Sequence, residues 1–283
     1  MTVRATGSLD GAGAVALFTQ CWLPDDATTV RGTVVIAHGL GEHSDRYDHV
    51  AGRLTAEGFA VSAVDHRGHG RSQGPRAVIE TDAVVADVDQ LVRRAAGARP
   101  DVPLFLLGHS LGAMIAVAYA LAHGERLDGL ILSGPLAAVD ASPALAAVGR
   151  LVSVLAPRAP TIALDPALVS RDGAVVAAYR ADPLVHHGRI PARTAAQISE
   201  TVRGFPDAVG AITVPTLIVY GTADGLCPPR GSVMLSERIG ADDITVRAYE
   251  GLFHEVLNEP ERETVITELL DWLDQRAPAI GRR

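Results

Sequence analysis

Short apolar runs bounded by glycine, proline and polar residues punctuate the chain, and between them apolar residues recur at helical spacing. Runs of the first kind fall at 17–22, 32–37, 59–64, 104–108, 127–132, 214–220 and 244–249. Their length and their valine, isoleucine and leucine content predict strands buried on both faces. In the intervals, Val50 and Leu54, then Val84, Val88, Leu91 and Val92, then Met114, Ile115, Val117 and Ala118, and last Ile266, Leu269, Leu270 and Leu273 mark helix faces. Strand and helix alternate, which predicts an α/β fold with a mostly parallel central sheet flanked by helices. Ligands of such sheets bind beyond the carboxyl ends of the strands, so the loops that follow strands are where chemistry is expected.

The rhythm fails between 136 and 206, where alanines, prolines and short apolar runs occur without a clear strand. The expectation is a helical insertion, a cap or lid, dividing a core made of 1–135 and 207–283. Within it Leu145, Val148, Leu151, Val152 and Leu155 share one helical face. That face either simply packs on the domain body or also lines an apolar channel or touches a membrane surface.

The most informative stretch is Gly108-His109-Ser110-Leu111-Gly112, between a strand-length apolar run and a helical one. It fits G-x-S-x-G in the strand, sharp turn, helix setting of a nucleophile elbow. The glycines answer a steric demand, because side chains at 108 and 112 would crowd a turn that holds Ser110 in strained geometry. A serine hydroxyl needs a base to take its proton, and the base needs an acid to fix its tautomer. In elbow proteins both follow the serine, in the order acid then histidine. Of His123, His186, His187 and His254, only His254 lies just past a core strand and ahead of a helix. Asp224 alone directly follows a late strand, whereas Asp128, Asp165, Asp182, Asp242 and Asp243 lie before strands or in the insertion. Ser110, Asp224 and His254 are the expected triad. Backbone donors for the oxyanion fall to Leu111, after the nucleophile, and Leu40, after the early strand. His38 is expected to hydrogen-bond loop backbone and hold that turn.

Composition narrows the function classes. The formal net charge is -8, and all 25 basic residues are arginines scattered without a run, which disfavours nucleic acid as a partner. No segment has the length of a membrane span and the first residues do not read as a signal peptide, so a soluble cytoplasmic protein is expected. The two cysteines, Cys21 and Cys227, form no C-x-x-C pair, and that compartment argues against a bridge. No H-E-x-x-H occurs and Ser44 stands where a dinucleotide G-x-G-x-x-G needs its third glycine, so neither a metal nor another cofactor is expected.

Taken together, His38-Gly39-Leu40-Gly41-Glu42-His43-Ser44-Asp45-Arg46-Tyr47, Asp65-His66-Arg67-Gly68-His69-Gly70-Arg71-Ser72, the elbow, and the Asp224 and His254 segments resemble the monoacylglycerol lipase family of α/β-hydrolase serine hydrolases. The resemblance spans nearly the whole chain and weakens through the insertion. It implies an α/β-hydrolase fold whose lid covers an apolar tunnel for one acyl chain, a polar pocket for the glycerol head, and hydrolysis of a lipid ester. Glu42 and Arg46 match positions at that polar end, Tyr179 matches a lid tyrosine, and Cys227 matches a cysteine near the site. Glu42 and Arg46, four residues apart, are also spaced to pair locally. Relatives often carry alanine at the Leu40 position, and a leucine there narrows the mouth without altering a backbone donor.

Competing readings are a lysophospholipase, which a roomier and more cationic head pocket would favour, and a short-chain carboxylesterase, which a lid without a long channel would favour. A ligand-binding protein with a silenced site is a third, against which stands a complete set of triad residues.

Overall fold

The computed structural model describes residues 3–25, 30–140 and 142–277, with the side chains of Pro143 and Leu145 outside the described set. Leu145 of the expected apolar face is therefore not placed. Eight strands form one sheet: β1 (Val3–Gly11), β2 (Val15–Leu23), β3 (Gly32–Ala37), β4 (Phe59–Val64), β5 (Leu104–His109), β6 (Gly129–Ser133), β7 (Thr216–Gly221) and β8 (Ile244–Tyr249), in the spatial order β1-β2-β4-β3-β5-β6-β7-β8. From β4 to β8 all neighbours are parallel, while β1 and β2 add an antiparallel hairpin at one edge.

Strands β3, β5 and β7 are buried at every residue, as continuous apolar runs require when helices cover both faces. On one face α1 (Asp48–Ala56) and α8 (Arg262–Asp274) pack Val50, Leu54, Ile266 and Leu269 against Val34, Ile36 and Phe105. On the other, α2 (Thr81–Ala98), α3 (Leu111–His123) and α7 (Arg230–Arg238) bury Val88, Met114, Ile115 and Leu235 against Val35, Leu106 and Leu130. Fully burying one such aliphatic side chain contributes about 1.5–3 kcal/mol, so the sheet ends that carry the loops are rigidly founded.

β1 was not predicted. One of its nine residues is buried, one is half-buried and seven are exposed, so it is an edge strand whose face carries no apolar alternation to read. Its pairing is set instead by the register with β2, from Val3 opposite Leu23 to Gly11 opposite Val15.

Among the described residues between β6 and β7 lie three α-helices, α4 (Pro143–Leu155), α5 (Gly173–Ala181) and α6 (Ala192–Ala208). The last continues past residue 206 with Pro206 inside it. Asp172 caps α5 through its side chain to the Ala174 N–H at 2.8 Å. In α4, Val148, Leu151, Val154 and Leu155 are between 58% and 75% exposed, so much of the expected face is not packed on the body.

No helix among the described residues is long and apolar enough to cross a membrane. Cys21 and Cys227 are both free thiols.

Candidate active site

β5 runs into α3 through Ser110 alone, whose backbone stands at φ 54° and ψ -117°, a region that side-chain-bearing residues rarely occupy. The Ser110 N–H donates to the Ser133 carbonyl at 2.9 Å, which ties the turn to the end of β6. A Cβ on Gly108 would overlap the Gly112 carbonyl, and one on Gly112 would overlap the Ala37 carbonyl. Both glycines are thus steric necessities of the turn, as the motif required.

Asp224 follows β7 and His254 follows β8, and the parallel sheet brings both to the rim that carries Ser110. Asp224 divides its oxygens. Oδ1 accepts from the Leu226 and Cys227 N–H groups, each at 2.8 Å, and Oδ2 lies 2.8 Å from His254 Nδ1. Nδ1 therefore carries the proton and leaves Nε2 as the basic nitrogen. Burial alone would lower the His254 pKa, but the carboxylate beside it outweighs burial and raises it above the usual histidine value. The His109 ring centroid stands 4.7 Å from that of His254, and burial, followed by His254 itself, lowers the His109 pKa and keeps that neighbour neutral. Gly134 allows the His254 loop to pack closely, since a Cβ there would meet the His254 carbonyl at 2.9 Å.

The loop after β3 presents Gly39 and Leu40 to the same space. A Cβ on Gly39 would lie 3.2 Å from Ser110 Cβ, so glycine lets the loop approach the elbow. His38 does what the sequence suggested. Its Nε2 accepts from the His66 N–H at 2.9 Å, so Nδ1–H donates to the Gly39 carbonyl at 2.8 Å. Leu111 opens α3 with its side chain buried, and the first amides of a helix have no partner within it.

Glu42 and Arg46 form the local ion pair at 2.6 Å and also line the cavity, so the two sequence readings are compatible. Glu42 Oε1 accepts from the Gly39 N–H at 2.5 Å and from the Tyr47 hydroxyl at 2.7 Å. Burial would raise the Glu42 pKa, but Arg46, the two hydrogen bonds and His109 together bring it down to about 2. Tyr179 comes from α5 to cover Arg46, whose guanidinium carbon is 4.8 Å from the ring centroid. Burial, reinforced by Glu42, pushes the Tyr179 phenol up to about 12.

Cys227 lies beside the elbow with Sγ 3.7 Å from Ser110 Oγ. Burial, then the Asp224 charge, pushes this thiol up, which keeps it protonated and a poor nucleophile.

These groups open on one cavity of about 670 Å³. Its far walls are apolar and come largely from the inserted segment, with Val148, Val152, Ile162, Leu164, Ile190 and Ile198 among them. α4 therefore lines the channel with one side while Leu151, Val154 and Leu155 stay outside.

Two acidic residues of the site were not anticipated. Glu255 chelates Arg46, with Oε1 and Oε2 each 2.7 Å from a guanidinium nitrogen. Glu259, fully buried, accepts from the Phe253 N–H at 3.0 Å and from Arg171 Nε at 2.8 Å. In sequence both read as solvated acids preceding a helix, and only their position in H-E-x-x-x-E after the candidate base marks them.

Known proteins give the geometry its lineage. The model of the family described as serine aminopeptidase, S33 matches residues 28–261. A monoacylglycerol lipase of Mycolicibacterium smegmatis is 43% identical over 96% of this chain and 98% of its own length. The monoglyceride lipase of Rattus norvegicus is 33% identical over 94% of this chain and 89% of that one. Among solved structures, a monoacylglycerol lipase from Paleococcus ferrophilus superposes with a TM-score of 0.81 at 28% identity, covering 98% of this chain and 99% of the other. An eight-stranded sheet with the elbow at its centre, matched end to end by these relatives, places the chain in the monoacylglycerol lipase family of α/β-hydrolase carboxylic ester hydrolases.

Proposed function

We propose that this enzyme hydrolyses monoacylglycerols to glycerol and free fatty acid through an acyl-Ser110 intermediate. The observation that carries the reading is the buried Asp224 to His254 hydrogen bond on the cavity that Ser110 and the apolar channel share. In this mechanism Ser110 Oγ attacks the acyl carbon while His254 Nε2 takes its proton. The Leu40 and Leu111 N–H groups bind the oxyanion. Collapse expels the glycerol oxygen with the proton from His254, and water then attacks the acyl-serine by the reverse route. Glu42, Arg46 and Tyr179 receive the glycerol head.

Residues 136–206 act as the cap and the remainder, 1–135 and 207–283, as the hydrolase core. The exposed Leu151, Val154 and Leu155 of α4 rest on the lipid surface from which the substrate is drawn. Flotation with phosphatidylcholine vesicles tests that contact, and recovery of all protein in the lipid-free fraction removes it.

The substrate reading is tested by a panel of mono-, di- and triacylglycerols, lysophospholipids and simple esters of graded chain length. Preference for monoacylglycerol, lost in Ser110→Ala, is the expected result. Equal rates on triacylglycerol overturn the substrate, and retained turnover in the serine variant overturns the mechanism.

A further inference from the structure

An arginine at the head end of a lipase pocket would ordinarily invite phosphate, because its planar fork pairs with anionic oxygens. Arg46 is the only arginine among the described residues that line the cavity, and three of its five N–H donors are taken by carboxylates. One terminal nitrogen donates to Glu42 at 2.6 Å and to Glu255 at 2.7 Å, the other to Glu255 at 2.7 Å, and one face lies under Tyr179. Glu255 is itself fixed by the Asn258 side-chain amide at 2.8 Å and by its own N–H on the Val169 carbonyl at 2.8 Å. Both acids are buried. Two carboxylates and one guanidinium leave the polar end of the cavity with one surplus negative charge.

We propose that Glu255 is a specificity-determining residue which, by occupying Arg46, turns the head pocket against anionic head groups and reserves it for uncharged alcohols. This rests on the reading of the substrate as a glycerol ester and adds the residue that sets the charge it tolerates. A phosphorylated head would have to displace a chelating carboxylate or lie against two of them out of bulk water, where like charges repel strongly. With Glu42 alone, Arg46 would be neutralised, and its second terminal nitrogen would be left without a carboxylate partner.

The test compares kcat/KM for a medium-chain 1-acylglycerol and the matching 1-acylglycerol 3-phosphate, below their micellar concentrations, in the wild type, Glu255→Gln and Glu255→Asp. A nitrophenyl ester of the same acid reports that each variant is folded and competent. The wild type is expected to disfavour the phosphate ester by about a hundredfold, and Glu255→Gln to reduce that discrimination by at least about tenfold. Glu255→Asp, which keeps the charge, retains most of it.

Unchanged discrimination in a competent Glu255→Gln overturns the proposal. So does a wild type that takes both esters within about threefold, which decides the matter even where the variant fails to fold. If the wild type cleaves nitrophenyl esters but no acylglycerol, the substrate reading falls instead. The charge rule is then read from the ethylene glycol and glycolate esters of the same acid, and equal turnover of those two overturns it.

Discussion

His254 holds Nδ1 2.8 Å from Oδ2 of Asp224, with both side chains almost wholly buried. The carboxylate stabilises the imidazolium relative to the neutral ring, and its influence exceeds the opposite effect of burial. Since the proposed base must be neutral to accept the Ser110 proton, kcat/KM is expected to rise with pH through an apparent pKa above the unperturbed value of about 6.5. In Asp224→Asn the acid limb should move to lower pH, because the charge that raised the pKa is gone. The rate on the plateau should fall by about 10⁴, since the amide no longer selects the Nδ1–H tautomer. A pH–rate profile of both proteins on a soluble ester checks both, and an unmoved limb would show that Asp224 does not govern the base.

Two glycine-to-alanine changes should act in opposite directions. At Gly112 an added Cβ has no space between the Ala37 and His38 carbonyls, so β3 and α3 must separate at the elbow. Gly112→Ala is expected to cost about 3 kcal/mol or more and to abolish ester turnover. At Gly204, within α6, nothing lies within 4 Å of the added atom. Gly204→Ala should therefore stabilise by about 0.5–1 kcal/mol through the unfolded chain and the helix preference of alanine. Denaturant midpoints at constant m-value distinguish the two signs.

The contrast between these glycines also marks what a sequence reveals. Gly108 and Gly112 are legible because the motif and the strand run before it state the steric problem they solve. Seven of the eight strands announce themselves as apolar runs, although β8, at the far edge of the sheet, has no fully buried residue, and β1 does not because its outward face has no core to match. Asp224 and His254 follow from placement at strand ends. Glu255 and Glu259 were hidden for a physical reason: their partners Arg46 and Arg171 lie 209 and 88 residues away, and a glutamate paired across the fold looks in sequence like one facing solvent. The three helices between β6 and β7 blurred together because channel-facing and exposed apolar residues share α4, which widens its stripe.

Glu259 connects the candidate base to the inserted segment. It accepts the Phe253 N–H next to His254, and the Arg171 N–H and side chain from the stretch before α5. Glu259→Ala leaves two half-buried amides without their acceptor, and destabilisation of about 1 kcal/mol is expected. Arg171 is about one third exposed and keeps Glu261, so the loss of the ion pair adds little. Because the histidine loop loosens, kcat should fall more than KM rises. Glu259→Gln, which still offers one carbonyl oxygen, should recover part of the kcat. A thermal melt alongside kinetics separates this from a purely structural role, in which activity per folded molecule would be unchanged.

His38, His66 and His69 are buried together behind the loop after β3, with ring centroids between 4.2 and 6.5 Å apart. Burial, followed by the neighbouring histidines, lowers His38 well below the usual value and His66 to about 3, while burial, opposed by the Arg67 carbonyl, lowers His69 to about 4. In the unfolded chain each would titrate near about 6.5. Above that pH neither state binds the proton and stability is independent of these groups. Below it the unfolded state binds protons that the folded state refuses, so stability falls as pH drops, with each such histidine contributing up to about 1.4 kcal/mol per pH unit. For His69 the fall continues until pH reaches its folded value of about 4. His69→Asn keeps a donor for the Arg67 carbonyl, which His69 Nδ1 meets at 3.0 Å, and removes the titration. The variant should therefore show a shallower loss of unfolding free energy between pH 6.5 and 4 than the wild type, by about one proton's worth. Urea titrations at half-unit pH steps measure that slope. Equal slopes would mean that His69 takes up its proton in the folded state as readily as in the unfolded one.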